Sequence, residues 1–226
     1  MEFQKFKSIP RLSRDIIITE KLDGSNLQLF IYDSNEPLFP NTTVESIVTD
    51  EFIDKYSLFE KEGIYLFAGS RKRWLDTSSD GDNYGSAKWV KENVEELLKL
   101  GEGRHYGEFI GKGIQRNYGL DEKRFYLFNV NKWNQFGLEP RLISVDPKTN
   151  EEKYTEDAPK CCYVVPILYE GLFDTLYIQS VLDNLAQGGS FAIPGFMKPE
   201  GIVIYHKASG QLYKKTIEND EKGKTR

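Results

Sequence analysis

The chain has 226 residues, of which 39% are hydrophobic and 29% charged, enough apolar material for the core of a soluble globular protein. No apolar run reaches the roughly 18 residues that span a bilayer, and Glu2, Lys5, Lys7, Arg11 and Arg14 interrupt the start where a signal-peptide core would lie, so the expectation is a cytoplasmic protein without a membrane partner. A net charge of -5 and a pI near 5.3 argue against a simple basic nucleic-acid-binding module, so any polyanion contact must be local.

In chain order, Ile16 to Thr19 reads as a buried β-branched strand and Lys21 to Asn26 as a polar turn. Leu27, Leu29 and Ile31 then alternate with Gln28, Phe30 and Tyr32 in a second strand, a hairpin-like unit with a lysine at its tip. Tyr65 to Ala68 is a further strand running into Gly69-Ser70-Arg71. Apolar residues at helical spacing between Ser86 and Leu100, with Gly101 and Gly103 behind them, predict one amphipathic helix. Strands follow at His105–Ile110, Phe125–Val130 and Gly201–Tyr205. A helix is expected at Thr175–Ala186, with Leu176, Val181, Leu182 and Leu185 on one side and Gly188-Gly189 ending it. A last strand over Gln211–Thr216 would turn Leu212 to the core, and the polar stretch Pro147–Pro159 reads as an exposed loop. Strands and helices intersperse without βαβ alternation, which predicts an α+β fold with antiparallel sheets in one compact domain over residues 1–226. Cys161 and Cys162 are adjacent and cannot staple distant segments, in keeping with a reduced compartment.

Four places carry chemistry. Lys21 lies between a buried strand and an Asp-Gly turn, a position suited to a nucleophilic amine but also common at surface hairpins. In His105–Gln115 one carboxylate, Glu108, stands beside a glycine-rich turn, where it could hold ribose hydroxyls. Glu200 precedes a glycine and an apolar strand, and a hydrated Mg²⁺ is a natural partner for such an acid. Lys214 and Lys215 bring cations to a late strand, suited to phosphate oxygens. Other basic groups, Arg71-Lys72-Arg73, Lys112 with Arg116 and the 222–226 tail, read equally as solvated surface.

Taken together, these segments resemble the motifs of the covalent nucleotidyltransferases, the superfamily of ATP-dependent ligases and mRNA capping enzymes. Glu20-Lys21-Leu22-Asp23-Gly24-Ser25-Asn26 resembles its motif I, Ser70-Arg71 motif Ia, and Tyr106-Gly107-Glu108-Phe109 motif III. Phe125–Asn129 resembles motif IIIa, Glu200–Ile204 motif IV and Tyr213–Thr216 motif V, all in family order. Asn26, and the stretch Gly-Glu-Phe, Gly-x-Gly-Ile-Gln, Phe-Tyr-x-Phe across Tyr106–Asn129, resemble the RNA ligase 2 type.

The resemblance implies the ATP-grasp-like nucleotidyltransferase fold of ATP-dependent ligases, without a separate C-terminal domain. It implies ATP as AMP donor with Mg²⁺ or Mn²⁺, and RNA with 5′-phosphate and 3′-hydroxyl ends as substrate. By it, Lys21 forms a lysyl-AMP bond, Arg71 meets ribose or phosphate, Glu108 the ribose and Phe128 the adenine. Glu200 takes the metal, Lys214 the α-phosphate with Lys215 a second cation, Glu20 the adenine edge through its backbone, and Asn26 joins the nucleotide set. Tyr205 replaces a lysine of the pattern, for which Lys207 is the candidate substitute; His105 and His206 read as structural, and the chain as a monomer. A minimal DNA ligase, a capping-type guanylyltransferase and a non-catalytic nucleic-acid-binding relative are the rival readings.

Overall fold

The computed structural model describes residues 3–4, 6, 8–35, 48–78, 80–133, 142–145, 152–154, 159–218 and 220. In chain order the elements are β1 (Asp15–Lys21), β2 (Ser25–Asp33), α1 (Asp50–Tyr56), β3 (Ser57–Lys61), β4 (Ile64–Gly69), α2 (Ser86–Glu92) and α3 (Val94–Leu97). There follow β5 (Gly103–Gly111), β6 (Lys123–Leu127), β7 (Leu142–Val145), β8 (Glu152–Tyr154), β9 (Cys162–Val164) and β10 (Ile167–Leu172). The last are α4 (Thr175–Gly188), β11 (Gly201–His206) and β12 (Gln211–Thr216). The result is the expected α+β class. The chain divides into two compact units, Met1–Leu22 with Pro166–Arg226, and Asp23–Val165.

The first unit is an antiparallel sheet in the order β10-β1-β11-β12. Alternation along β1 and β11 turns Ile16, Ile18, Ile202 and Ile204 to one face, where they pack with Ile178, Leu182 and Leu185 of α4. Each such side chain contributes about 1.5–3 kcal/mol by leaving water. Asp174 caps α4 by accepting the Leu176 N–H at 2.7 Å, and Gly189, at φ 82°, ends it. Two expectations fail. Leu176 is 79% exposed because it stands in the first turn, off the stripe of Ile178, Leu182 and Leu185. Leu212 is 67% exposed because β12 is an edge strand and Leu212, opposite Tyr205, lies on the face away from α4.

The second unit is built on a sheet in the order β3-β4-β2-β5-β6-β9, antiparallel except for the β6–β9 pair. Its strands are apolar on both faces. Leu27, Leu29 and Ile31 share one face with Phe109 and Phe125, against which Trp89 of α2 lies at centroid distances of 5.4 and 6.3 Å. On the other face Phe30 and Phe67 meet Trp74 and Phe52 of α1, the Phe52–Phe67 rings 4.9 Å apart.

The Lys21 unit is not a hairpin: β1 and β2 belong to different sheets, and Leu22-Asp23-Gly24 carries the chain from one unit to the other. The helix expected over Ser86–Leu100 breaks at Asn93, whose side-chain amide donates to the Trp89 carbonyl at 2.8 Å and competes with the helical ladder. β6 stops at Leu127, short of the expected Val130. Within the stretch read as a loop, Glu152–Tyr154 pairs with β7 and Pro159 is buried; the rest of that stretch, like 221–226, lies outside the described residues.

Candidate active site

Lys21 ends β1, directly opposite Gly201 at the start of β11. Its Nζ donates to Glu200 Oε2 at 2.5 Å, with both side chains largely withdrawn from solvent. Gly201 is required there: a Cβ would stand 2.2 Å from the Lys215 carbonyl oxygen, forcing β12 away. Register decides between the adjacent lysines. Lys214 is opposite Val203, which is opposite Thr19, so Lys214 shares the face of Lys21; Lys215, opposite Ile202, belongs to the α4 face. Tyr205, opposite Ile17, is also on the Lys21 face. Lys207 is no substitute. It pairs with Glu170 at 2.6 Å beyond the Asp15 end of β1, six residues or about 20 Å along the strand from Lys21.

Glu20, expected to meet the adenine edge through its backbone, carries a structural contact on its side chain. Its N–H donates to the Pro166 carbonyl, and its side chain, 1% exposed, accepts from the amides of Phe191 and Ala192 at 2.8 and 2.9 Å. Burial pushes its carboxyl above the ordinary range, opposed by Ser190 and those two amides. The carboxylate thus brackets the loop after α4 to the end of β1.

A second cluster lies within the other unit, on the β2 and β5 strands. Glu108, 8% exposed and paired in register with Asn26, accepts the Gly24 N–H at 3.1 Å through Oε1 and the Asn26 side-chain amide at 2.8 Å through Oε2. Phe128 follows β6 directly opposite Tyr106, to whose carbonyl its N–H donates at 2.9 Å. It is 43% exposed, so its ring is not a core side chain. Arg71 is exposed in the turn after β4 and makes no ion pair among the described residues.

Three residues outside the expected set join this cluster. Arg116 Nε donates to Asp23 Oδ2 at 2.9 Å, and the Asp23 N–H donates to the Tyr118 hydroxyl at 2.7 Å. Asp23 stood in the quoted motif without a role; nothing in the spacing of Arg116 or Tyr118 pointed to it. Both histidines are structural, as expected. His105 Nε2 meets the Gly101 carbonyl at 2.8 Å, and burial lowers its pKa. His206 Nε2 meets the Leu12 carbonyl at 2.8 Å, and its Nδ1 accepts the Ser209 N–H at 3.2 Å.

No group of three or more His, Cys, Asp or Glu side chains that could cage a metal exists among the described residues. A single carboxylate beside a lysine suits a hydrated Mg²⁺ or Mn²⁺ that keeps its waters and takes other ligands from phosphate.

The fold recurs in solved structures of a Naegleria gruberi RNA ligase. A lysine-to-alanine variant with ATP and Mn matches at 19% identity and a TM-score of 0.50, over 91% of this chain and 50% of that one. A lysine-to-methionine variant with AMP and Mn matches at 18% and 0.50, over 91% and 50%. An arginine-to-alanine variant with ATP and Mn matches at 18% and 0.50, over 92% and 51%. The chain therefore spans about half the length of that ligase, and the likeness is one of fold. No curated protein matches the chain significantly. Residues 14–216 match the sequence profile of the RNA ligase family, and the chain belongs to that family.

Proposed function

We propose that the chain is an ATP-dependent RNA ligase acting through a covalent lysyl-AMP intermediate. The observation that carries this reading is the strand-end Lys21 held by Glu200 with Lys214 on the same sheet face, inside the family match. Lys21 Nζ, as free amine, attacks the α-phosphorus of ATP; the N–P bond forms, the bond to the β-phosphate oxygen breaks, and pyrophosphate leaves. Glu200 Oε2 orients the amine and is the base within reach of its proton. Lys214 neutralises the phosphate, Lys215 is left to the opposite face, and Arg71 meets the ribose or the incoming phosphate. Glu108 and Asn26 hold the ribose and Phe128 stacks on adenine. Glu200 would hold a hydrated Mg²⁺ or Mn²⁺, which supplies charge neutralisation on the phosphate oxygens. AMP then passes to an RNA 5′-phosphate, and the 3′-hydroxyl displaces it to close the phosphodiester.

Incubation of wild type and Lys21→Ala with α-labelled ATP or GTP and Mg²⁺, followed by a denaturing gel, tests the reading. Acid-labile label from ATP that disappears in Lys21→Ala is expected. Label from GTP alone would instead make the chain a capping-type guanylyltransferase, and sealing of nicked DNA but not RNA a DNA ligase. No label from either nucleotide would leave a non-catalytic binding protein.

A further inference from the structure

The loop between β5 and β6 is the most strained backbone described. Gln115, Asn117 and Tyr118 all hold left-handed conformations, with φ of 42°, 60° and 52°, which side-chain-bearing residues seldom adopt and seldom adopt together. The surroundings over-determine them. Ile114 is fully buried, the Gly113 N–H donates to the Asn117 side chain, and Asn117 and Leu120 N–H groups close turns onto the Ile114 and Asn117 carbonyls. The strain delivers two side chains to one residue. Arg116 takes the Asp23 carboxylate, and the Tyr118 hydroxyl, on a ring only 2% exposed, takes the Asp23 N–H. Asp23 is thereby gripped at side chain and backbone, two residues after Lys21 and next to the Gly24 N–H that Glu108 accepts.

We propose that Arg116 and Tyr118 are positioning residues for nucleotidyl transfer, a preformed clamp that acts through Asp23 to fix the turn leaving Lys21. This inference rests on the proposed lysyl-AMP chemistry for its kinetic consequence, but the clamp itself is open to a test that needs no activity.

Amide hydrogen exchange on Arg116→Ala and Tyr118→Phe is the first arm. Exchange at the Asp23 and Gly24 amides is expected to quicken at least tenfold in each, with the centre of β5 unchanged; unchanged exchange at those two amides would overturn the clamp whatever the protein catalyses. The second arm is the rate of self-adenylylation. Both variants should lose about tenfold or more in the rate at saturating ATP with the KM for ATP within about twofold, and Arg116→Lys should recover part of the loss. Asp23→Asn combined with Arg116→Ala should be no slower than Asp23→Asn alone, because both remove one interaction. Losses that multiply would mean that Arg116 acts independently of Asp23 and would overturn the proposal. If wild type shows no adenylylation, the function reading fails while the exchange arm still decides the clamp.

Discussion

Gly24→Ala tests whether the turn after Lys21 is fixed by close packing. Gly24 needs no left-handed backbone; its constraint is space. A Cβ there would lie 2.3 Å from the Phe109 carbonyl oxygen and 2.6 Å from Ile110 Cγ2. Ile110 can adjust by a rotamer, but the Phe109 carbonyl belongs to β5, paired through Phe109 and Ser25 with β2, so it yields only if the ladder opens. The overpacking costs about 1–3 kcal/mol. Moving the turn also breaks the Gly24 N–H bond to the Glu108 carboxylate, a charge-assisted bond of about 1.5–3 kcal/mol. Together the change should destabilise the protein by about 3–5 kcal/mol, a large part of an ordinary 5–15 kcal/mol.

The control is Gly210→Ala. That glycine, in the β11–β12 turn, has φ +66° and nothing within 4 Å of its would-be Cβ, so its cost is conformational alone, about 1–2 kcal/mol. Urea unfolding with matched thermal scans should rank the two, with Gly24→Ala lowering Tm by roughly 10 °C, at about 2–4 °C per kcal/mol for a chain of this size, and Gly210→Ala by a third of that. A Gly24→Ala protein that melts within 2 °C of wild type, or below Gly210→Ala only in activity, would refute the steric reasoning.

The β11–β12 register makes Lys214 and Lys215 unequal. Lys214→Ala should slow self-adenylylation by about 100-fold, the scale of one lost transition-state contact, and Lys215→Ala by less than threefold; equal losses would show the register to be wrong. Glu20 carries a pH signature. Its folded pKa is raised by burial, so the folded state holds this proton more tightly than the unfolded chain. The stability so gained is fully present below the ordinary 4.5 and is lost as pH rises through the folded value. Urea unfolding of wild type and Glu20→Gln between pH 4 and 8 should therefore show wild type losing ground to the variant as pH rises, and a constant difference would contradict it.

What could be read in advance follows from which forces act along the chain and which act across it. The strand of Ile16 to Thr19 announces itself as an unbroken β-branched run buried on both faces, and the helix after Asp174 because burial on one face imprints a period on the sequence. β9 and β10 do not, since Cys162–Val164 offers three residues and Ile167–Leu172 is an edge strand without a fully buried residue. The hairpin expected at Lys21 failed for a related reason. Local turn chemistry at Asp-Gly indicates that the chain bends, not which strand it meets next, and partners for β1 come from β10 and β11, some 150 and 180 residues later.

The candidate site was legible where it depends on residue type and obscure where it depends on register. Lys21, Glu108 and Glu200 are chemically conspicuous on an otherwise apolar background. The preference for Lys214 over Lys215 came with the motif, and strand alternation gives it a physical basis, since Gly201 stands opposite Thr216 and Lys21. Glu20 carries a second role that the motif does not announce. Its expected nucleotide contact is through the backbone, while its side chain points to the α4 face because neighbours on a strand diverge, and a carboxylate arriving in an apolar layer must find amides to bind. Arg116 and Tyr118 were invisible for a third reason: their positions are set by left-handed backbone at non-glycine residues, a conformation that sequence preference argues against and that only the packing of the finished loop around Ile114 makes tolerable. Strain of this kind therefore marks the residues whose placement the fold maintains against local preference, and it is there that substitutions separate holding a geometry from merely filling a space.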